Sequence, residues 1–176
     1  HHVLNEVSAP IFATPLTRGL LEVKLGRNGL GSKADLRTVQ AGETVEIGPF
    51  KVEFYHVCHS IPDGVGLGIY TPAGLIVHSG DYKFDHTPVD GKGSDYARLA
   101  NYSEHGVLAL LADSTNSERA GWTPSEKVVD AGLEDVFSQA PGRIIIASFA
   151  SLISRMQQVA NAAERHNRKL AFVGTS

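Results

Sequence analysis

The 176-residue sequence has a single cysteine, Cys58, so no internal disulfide framework can form and the chain fits a reducing, cytoplasmic compartment. No apolar run approaches the roughly eighteen residues needed to cross a bilayer. The first residues lack the basic-then-apolar order of a secretory signal, so no membrane role is expected. An excess of either charge is missing too. A formal net charge of -3 gives no global pull toward nucleic acid, and an RNA or DNA partner would need a local basic groove. Internal repeats and low-complexity segments are absent. So is any histidine-rich cluster of the His-x-His-x-Asp-His kind, and so is an initial methionine. The start, His1-His2 directly before Val3, is expected to be a truncation. Those two histidines are left out of the candidate site, since tag remnant, helix surface and ligand are all open readings.

With 42% hydrophobic and 20% charged residues, the chain is expected to bury a core within one domain or parts of two. Strand-like and helix-like stretches alternate, which argues for a layered α/β fold. Ala9–Thr14 is a short β-rich run. Pro15–Leu25 repeats Leu16, Leu20 and Val23 or Lys24 at helical spacing before a glycine-rich break. Residues 36–47 suggest a meander turning at Gly42-Glu43. Residues 50–57 set Val52, Phe54 and His56 against Lys51, Glu53 and Tyr55, the alternation of a half-buried strand. Residues 66–71 and 74–77 flank Pro72-Ala73-Gly74 as a hairpin. The continuous apolar run 106–112 predicts a buried strand. Thr123-Pro124-Ser125-Glu126 spells a capping box for a helix to about Gln139. Arg143–Ala147, a helix over 151–166 and Lys169–Val173 then predict a βαβ crossover. The change in pattern near residue 123 marks a candidate domain boundary, giving units 1–122 and 123–176.

Two segments place ligand-type side chains where an apolar run stops: His59-Ser60-Ile61-Pro62-Asp63 and Val77-His78-Ser79-Gly80-Asp81. A hydrolytic metal centre needs neutral imidazoles and carboxylates around a divalent ion that lowers the pKa of bound water to about 7. His59 and Asp81 are of the right type. Taken singly, each has an alternative in turn chemistry, His59 through Ser60 and Asp81 as an Asx-turn after Gly80. His56 and His78 fall one layer back, where an imidazole orients a ligand or packs. Asp113 leaves the end of the 106–112 run, suited to holding a histidine or a phosphate oxygen, or to forming a turn. Ser148 and Ser151 precede a helix, where small hydroxyls and backbone amides accept an anion or simply cap. Arg155, one turn into that helix, either meets phosphate or faces water.

The strings HSIPD (59–63), IVHSGDYKFDHTPVDG (76–91), LLADSTN (110–116), GWTPSE (121–126) and RIIIASFASLISRMQQV (143–159) follow one another as in ribonuclease J. From Val3 to Ser176 the chain resembles that family, metallo-β-lactamase-fold nucleases with a β-CASP insertion. The resemblance implies a partial metallo-β-lactamase αββα sandwich followed by the start of a β-CASP βαβ domain. It also implies a two-metal ribonuclease acting 5′ to 3′ on single-stranded RNA with a 5′-monophosphate, cutting internally as well, in RNA processing and decay. Zinc is the first choice of metal, with manganese or magnesium as alternatives, and a homodimer or homotetramer is the implied assembly. By the same resemblance His59 and Asp81 are metal ligands, Asp81 and Asp113 belong to the catalytic centre, and Ser148 and Ser151 line the nucleotide and 5′-phosphate pocket.

The family's paired histidine-aspartate-histidine motif and its final metal histidine are absent. The 176 residues alone are therefore expected to bind no catalytic metal tightly and to cleave no RNA. Two other readings stay open. One is a non-catalytic RNA-binding or assembly module of the same fold. The other is a hydrolase of small esters or lactones, against which the 143–176 unit argues.

Overall fold

A computed structural model of the chain describes residues 3–174. His1 and His2 lie outside the described residues, as do Thr175 and Ser176. The architecture is mixed α/β, as expected. In chain order the elements are β1 (Ile11–Ala13), α1 (Pro15–Arg27), β2 (Leu36–Thr38), β3 (Thr44–Ile47), β4 (Phe50–His56), β5 (Val65–Thr71), β6 (Gly74–His78), α2 (Tyr96–His105), β7 (Val107–Leu111), α3 (Lys127–Gln139) and α4 (Ile153–Arg165).

Five strands form one sheet in the order β3-β4-β5-β6-β7, antiparallel throughout except for the parallel pair β6–β7. The β5–β6 hairpin closes on Pro72-Ala73 with Thr71 opposite Gly74, as the sequence predicts. The meander over 36–47 does not form. Strand β2 pairs in parallel with β1, and the Val39 amide extends that pairing to Ala13 O at 3.0 Å. Gly42, at φ 91°, then turns the chain so that β3 joins β4 in the larger sheet.

Strand β4 keeps its predicted alternation, but both faces are covered rather than one. Val52 and Phe54 are buried with Val39 on one face, where Phe12 of β1 packs against them. Tyr55 and Val57 are buried on the other with Leu75, Val77 and Tyr102 of α2. Glu53 is buried there too, and it is fully engaged. Its carboxylate accepts hydrogen bonds from the hydroxyls of Tyr102 at 3.0 Å and Tyr70 at 3.3 Å, and pairs with Arg98 at 2.9 Å. Burial raises the Tyr102 hydroxyl far above its ordinary pKa, with the Glu53 carboxylate adding to the effect, so it stays a donor. Burial pushes the Tyr55 hydroxyl up to about 12. Room for both rings comes from β5: Gly66 lies opposite Tyr55 in register, and Gly68 beneath the Tyr102 ring.

Four further expectations need correction. The Leu16, Leu20 and Val23 stripe of α1 faces outward, and the helix buries Leu25 with Leu21 half-buried one turn before it. A parallel stripe one residue along has the same period, and only packing decides between them. Strand β7 forms as predicted, but as the exposed sheet edge: Leu108 and Leu110 are 60% and 64% accessible. The capping box does not close. Helix α3 begins four residues after Thr123, at Lys127, because the Glu126 amide donates to Asp85 Oδ2 at 2.9 Å and the Glu126 side chain turns to Lys83 and Arg155. Finally, residues 143–147 and 169–173 are not hydrogen-bonded strands. They run without a ladder beside α3 and α4, where only Ile144 joins the Phe137, Val159, Ala162 and Ala163 core. An extended segment becomes a strand only when a partner takes its backbone groups. The α4 helix itself is as expected, starting two residues later than residue 151.

Replacing Gly68 by Ala is expected to destabilise the chain by about 1–3 kcal/mol, because the new Cβ would overlap the buried Tyr102 ring. Urea unfolding checks this, and a midpoint equal to that of the unaltered chain would contradict the packing described.

Candidate active site

Strand direction assembles the site. Strands β4, β6 and β7 run the same way across the sheet, so their C-terminal ends share one edge. The loops that follow carry His59, Asp81 and Asp113, respectively. All three line one cleft of about 1040 Å³, in the crevice beyond strand ends where α/β sheets commonly bind ligands.

The Asp81 and Asp113 loops are cross-linked. The Ser79 amide donates to Leu111 O at 2.9 Å, extending the β6–β7 ladder by one step. The Ser79 hydroxyl accepts from the Asp113 amide at 2.9 Å and donates to Gly80 O at 2.6 Å. Gly80 takes φ 62°, and a Cβ there would lie 2.9 Å from Val65 O, so the turn that delivers Asp81 requires glycine. His78 acts on the same turn: its Nδ1 accepts from the Gly80 amide at 2.9 Å, which puts the ring proton on Nε2. The residue placed one layer back thus orients the Asp81 turn, although its own side is exposed.

Asp113 Oδ1 accepts from the Thr115 hydroxyl at 2.6 Å and the Thr115 amide at 3.0 Å. These bonds, the hydroxyl first, hold its carboxyl below the ordinary carboxylate range, with smaller help from the Tyr82 amide and the His59 imidazole. His59 lies near enough to act on that charge. Its own ring Nδ1 sits 3.1 Å from the Ser60 hydroxyl. The His59 loop is closed at its neck by Val57 N–H to Gly64 O at 3.0 Å. It is joined to the Asp81 segment by Lys83 N–H to Cys58 O at 2.7 Å, and to α1 by Asp63 Oδ2, which accepts from the Leu16 amide at 2.7 Å.

The donor set falls short of a metal centre. Among the described residues no three His, Cys, Asp or Glu side chains converge as a metal-binding group. His59 and Asp81 can supply two ligands, and Asp113 is bound to Thr115. A stable divalent-ion site needs more donors than these.

Ser148 and Ser151 do not join the cleft. Ser148 lines a second cavity between residues 143–148 and 169–173, whose lining mixes apolar side chains with Arg143, Arg155, Arg168 and Lys169, and Ser151 is exposed and lines neither. From that end of the chain the cleft receives Ser154 and Arg155. Arg155 neither faces water nor stands free. It pairs with Glu126 Oε2 at 2.7 Å and donates to Gln158 Oε1 at 3.2 Å.

Lys83 and Asp85 were not singled out by the sequence, and Glu126 only as a capping residue. Lys83 Nζ stands 3.3 Å from Glu126 Oε1 and 3.7 Å from Asp85 Oδ2, and the Gln158 amide donates to Glu126 O at 3.0 Å. Burial alone would raise the Asp85 carboxyl. The Glu126 amide, the Ser125 hydroxyl, the Thr87 amide and the Lys83 ammonium outweigh it and hold that carboxyl below its ordinary value. Burial opposes Glu126 in the same way, and Arg155 and Lys83 together lower its carboxyl. The local hint was the alternation Tyr82-Lys83-Phe84-Asp85-His86, in which two charged residues interleave with three rings.

Comparison with known proteins gives a consistent picture. The profile of the ribonuclease J β-CASP domain matches residues 141–176. Ribonuclease J of Synechocystis sp. is 46% identical over 98% of this chain and 27% of its own length. Ribonuclease J of Thermus thermophilus is 44% identical over 98% of the chain and 30% of its own length. Ribonuclease J2 of Bacillus subtilis is 43% identical over 98% and 31%. The chain thus spans between a quarter and a third of the relatives it matches. A solved structure of a protein of unknown function from Enterococcus faecalis V583 shares the fold with a TM-score of 0.66 at 16% identity, covering 88% of this chain and 39% of the other.

The Asp85 network sets a pH dependence. Because the native carboxyl is depressed, its contribution to stability is present above the unfolded value of about 4 and is lost as pH falls through the native value. Asp85→Asn is expected to cost about 1–3 kcal/mol at pH 6 and to flatten the loss of stability between pH 5 and pH 3. Urea midpoints across that range check it; parallel curves for the two proteins would contradict it.

Proposed function

We propose, for a chain that belongs to the ribonuclease J family across nearly its whole length, that the strand-end cleft is part of a centre hydrolysing RNA phosphodiester bonds. The observation that supports this most is the arrival of His59, Asp81 and Asp113 at one sheet edge and in one cleft. Within this reading the substrate is single-stranded RNA with a 5′-monophosphate, cut 5′ to 3′ and also internally, during RNA processing and decay in the cytoplasm. No helix among the described residues is long and apolar enough to cross a membrane.

The residues take distinct roles. His59 and Asp81 are two of the ligands for two divalent ions, zinc first and manganese or magnesium next, with the remaining ligands supplied from elsewhere in the protein. When bound, such ions neutralise phosphate and activate water. Asp113 fixes the floor of the site beside His59, and His78 holds the turn that presents Asp81. A phosphodiester approaching Asp81 and Asp113 without cations would be repelled, so these two carboxylates favour this cofactor class. Ser148 and Ser151 are assigned to the 5′-phosphate end of the substrate. The domain division is placed between residues 122 and 123, and the assembly is a homodimer or homotetramer.

For the 176 residues taken alone, the incomplete ligand set favours a second reading, an RNA-binding or assembly module without hydrolysis. Equilibrium dialysis of the isolated chain against zinc is expected to show no tightly held ion, and two per chain would overturn that. In the longer ribonuclease J polypeptide carrying this sequence, His59→Ala and Asp81→Asn are each expected to reduce cleavage of 5′-monophosphorylated RNA on the order of a hundredfold or more. Both side chains are exposed, so thermal stability should change little. Undiminished cleavage by the two variants would remove these residues from the centre.

A further inference from the structure

The cleft carries a feature that the hydrolytic reading leaves unused. Tyr82, Phe84 and His86 alternate along the loop after Asp81, which turns tightly where the Asp85 amide donates to Lys83 O at 3.0 Å, and all three line the cleft that holds His59, Asp81 and Asp113. Between them, Asp85 is buried, and Lys83, which also lines the cleft, pairs with Asp85 and Glu126. The rings form a continuous row with Tyr96 at the start of α2. Centroids are 4.9 Å apart for Tyr82–Phe84, 5.6 Å for Phe84–Tyr96 and 5.7 Å for His86–Tyr96, the last pair stacked at 28°.

Tyr82, at one end of the row, packs against the core of Tyr55, Val57, Leu75, Val77 and Tyr102, and the other three rings are exposed. Phe84 is 54% accessible and Tyr96 39%, and Trp122 on the same cleft is 89% accessible. Large aromatic faces left in water beside a charged cleft mark a binding surface more often than a packing accident. The surrounding residues, Asp81, Thr115, Asn116 and Arg155, are polar or charged, which suits a ligand that alternates flat apolar faces with charge rather than an aliphatic protein segment. Single-stranded nucleic acid has that chemistry, and base-on-aromatic stacking tolerates any sequence.

We propose that Tyr82, Phe84, His86 and Tyr96 form a stacking shelf for bases of single-stranded RNA, with the accessible face of Phe84 as its principal contact. The shelf rests on the nuclease reading and adds to it how the substrate is held beside the strand-end residues. Lys83 and Asp85 act as positioning residues, since their pairing with each other and of Lys83 with Glu126 fixes the loop that carries the rings.

The test uses the longer ribonuclease J polypeptide carrying this sequence, with Asp81→Asn to suppress cleavage, and a 5′-monophosphorylated oligoribonucleotide containing 2-aminopurine. Binding is expected to quench the fluorophore. Phe84→Ala should weaken affinity on the order of tenfold and relieve the quenching, while Phe84→Trp, which restores a ring, should recover both. Near-UV circular dichroism of the variants verifies that they fold. Equal affinity and quenching for Phe84→Ala and its parent would overturn the shelf and leave the nuclease reading standing. Failure of the parent to bind the RNA at all would overturn both.

Discussion

The site depends on one pairing, the parallel alignment of β7 with β6. Antiparallel neighbours would have sent the chain after β7 to the opposite end of the sheet, about 17 Å away for a five-residue strand. The parallel alignment instead brings Asp113 out at the edge already used by β4 and β6, beside Asp81 and the His59 loop. Parallel pairing of successive strands demands a crossover. Residues 79–106 supply it, and the helix they contain does more than span the distance. Tyr102 of α2 settles over Gly68 and donates to the buried Glu53 carboxylate, while Asp95 caps the helix by accepting from the Arg98 amide at 2.9 Å. The connection that fixes the active edge therefore also closes one face of the core.

A second set of contacts joins this edge to the helical part of the chain. Asp85 is buried at 3% exposure with every partner in place: the Glu126 amide, the Thr87 amide at 3.0 Å and Lys83. Gln158 of α4, fully buried, bonds Glu126 O, and Arg155 holds the Glu126 carboxylate. A buried carboxylate with unfilled bonds would be costly, so the completeness of this network is what makes it tolerable. It also explains the start of α3. Glu126 could have reached back to close a capping box on Thr123. The two cations it meets instead, both part-buried, offer charge-assisted bonds of greater strength.

Much of the site was legible because its residues stand where apolar runs end. His59, Asp81 and Asp113 follow Val57, His78 and Leu111 closely, and a strand's end is a local property that sequence records. The face of α1 was not legible, since Thr17, Leu21 and Leu25 repeat with the same spacing as Leu16 and Leu20. Nor was the exposure of β7: an apolar run looks the same in the middle of a sheet and at its edge. Residues 143–147 have strand composition, yet a strand is a relation between two backbones, and none pairs with them here. Lys83, Glu126 and Arg155 lie 43 and 29 residues apart, beyond any window in which periodicity or capping operates.

The two halves of the candidate site are held unequally, and the difference bears on how it works. Asp81 follows a glycine in a conformation other residues resist, a turn clasped by His78, and a serine bonded to both neighbouring strand ends. Asp113 is fixed by Thr115 and by the same serine. His59, by contrast, has its ring hydrogen bond with Ser60, its sequence neighbour, on a loop held at its neck and at Asp63. The backbone that carries the two carboxylates is thus fixed before any ligand arrives, whereas the His59 ring is held less firmly. The Lys83 amide, bonded to Cys58 O, is the link through which the rigid half can restrain the looser one. Because that lysine is also anchored to Asp85 and Glu126, the orientation of His59 is coupled through one backbone bond to the contacts that seat α3 and α4 against the sheet.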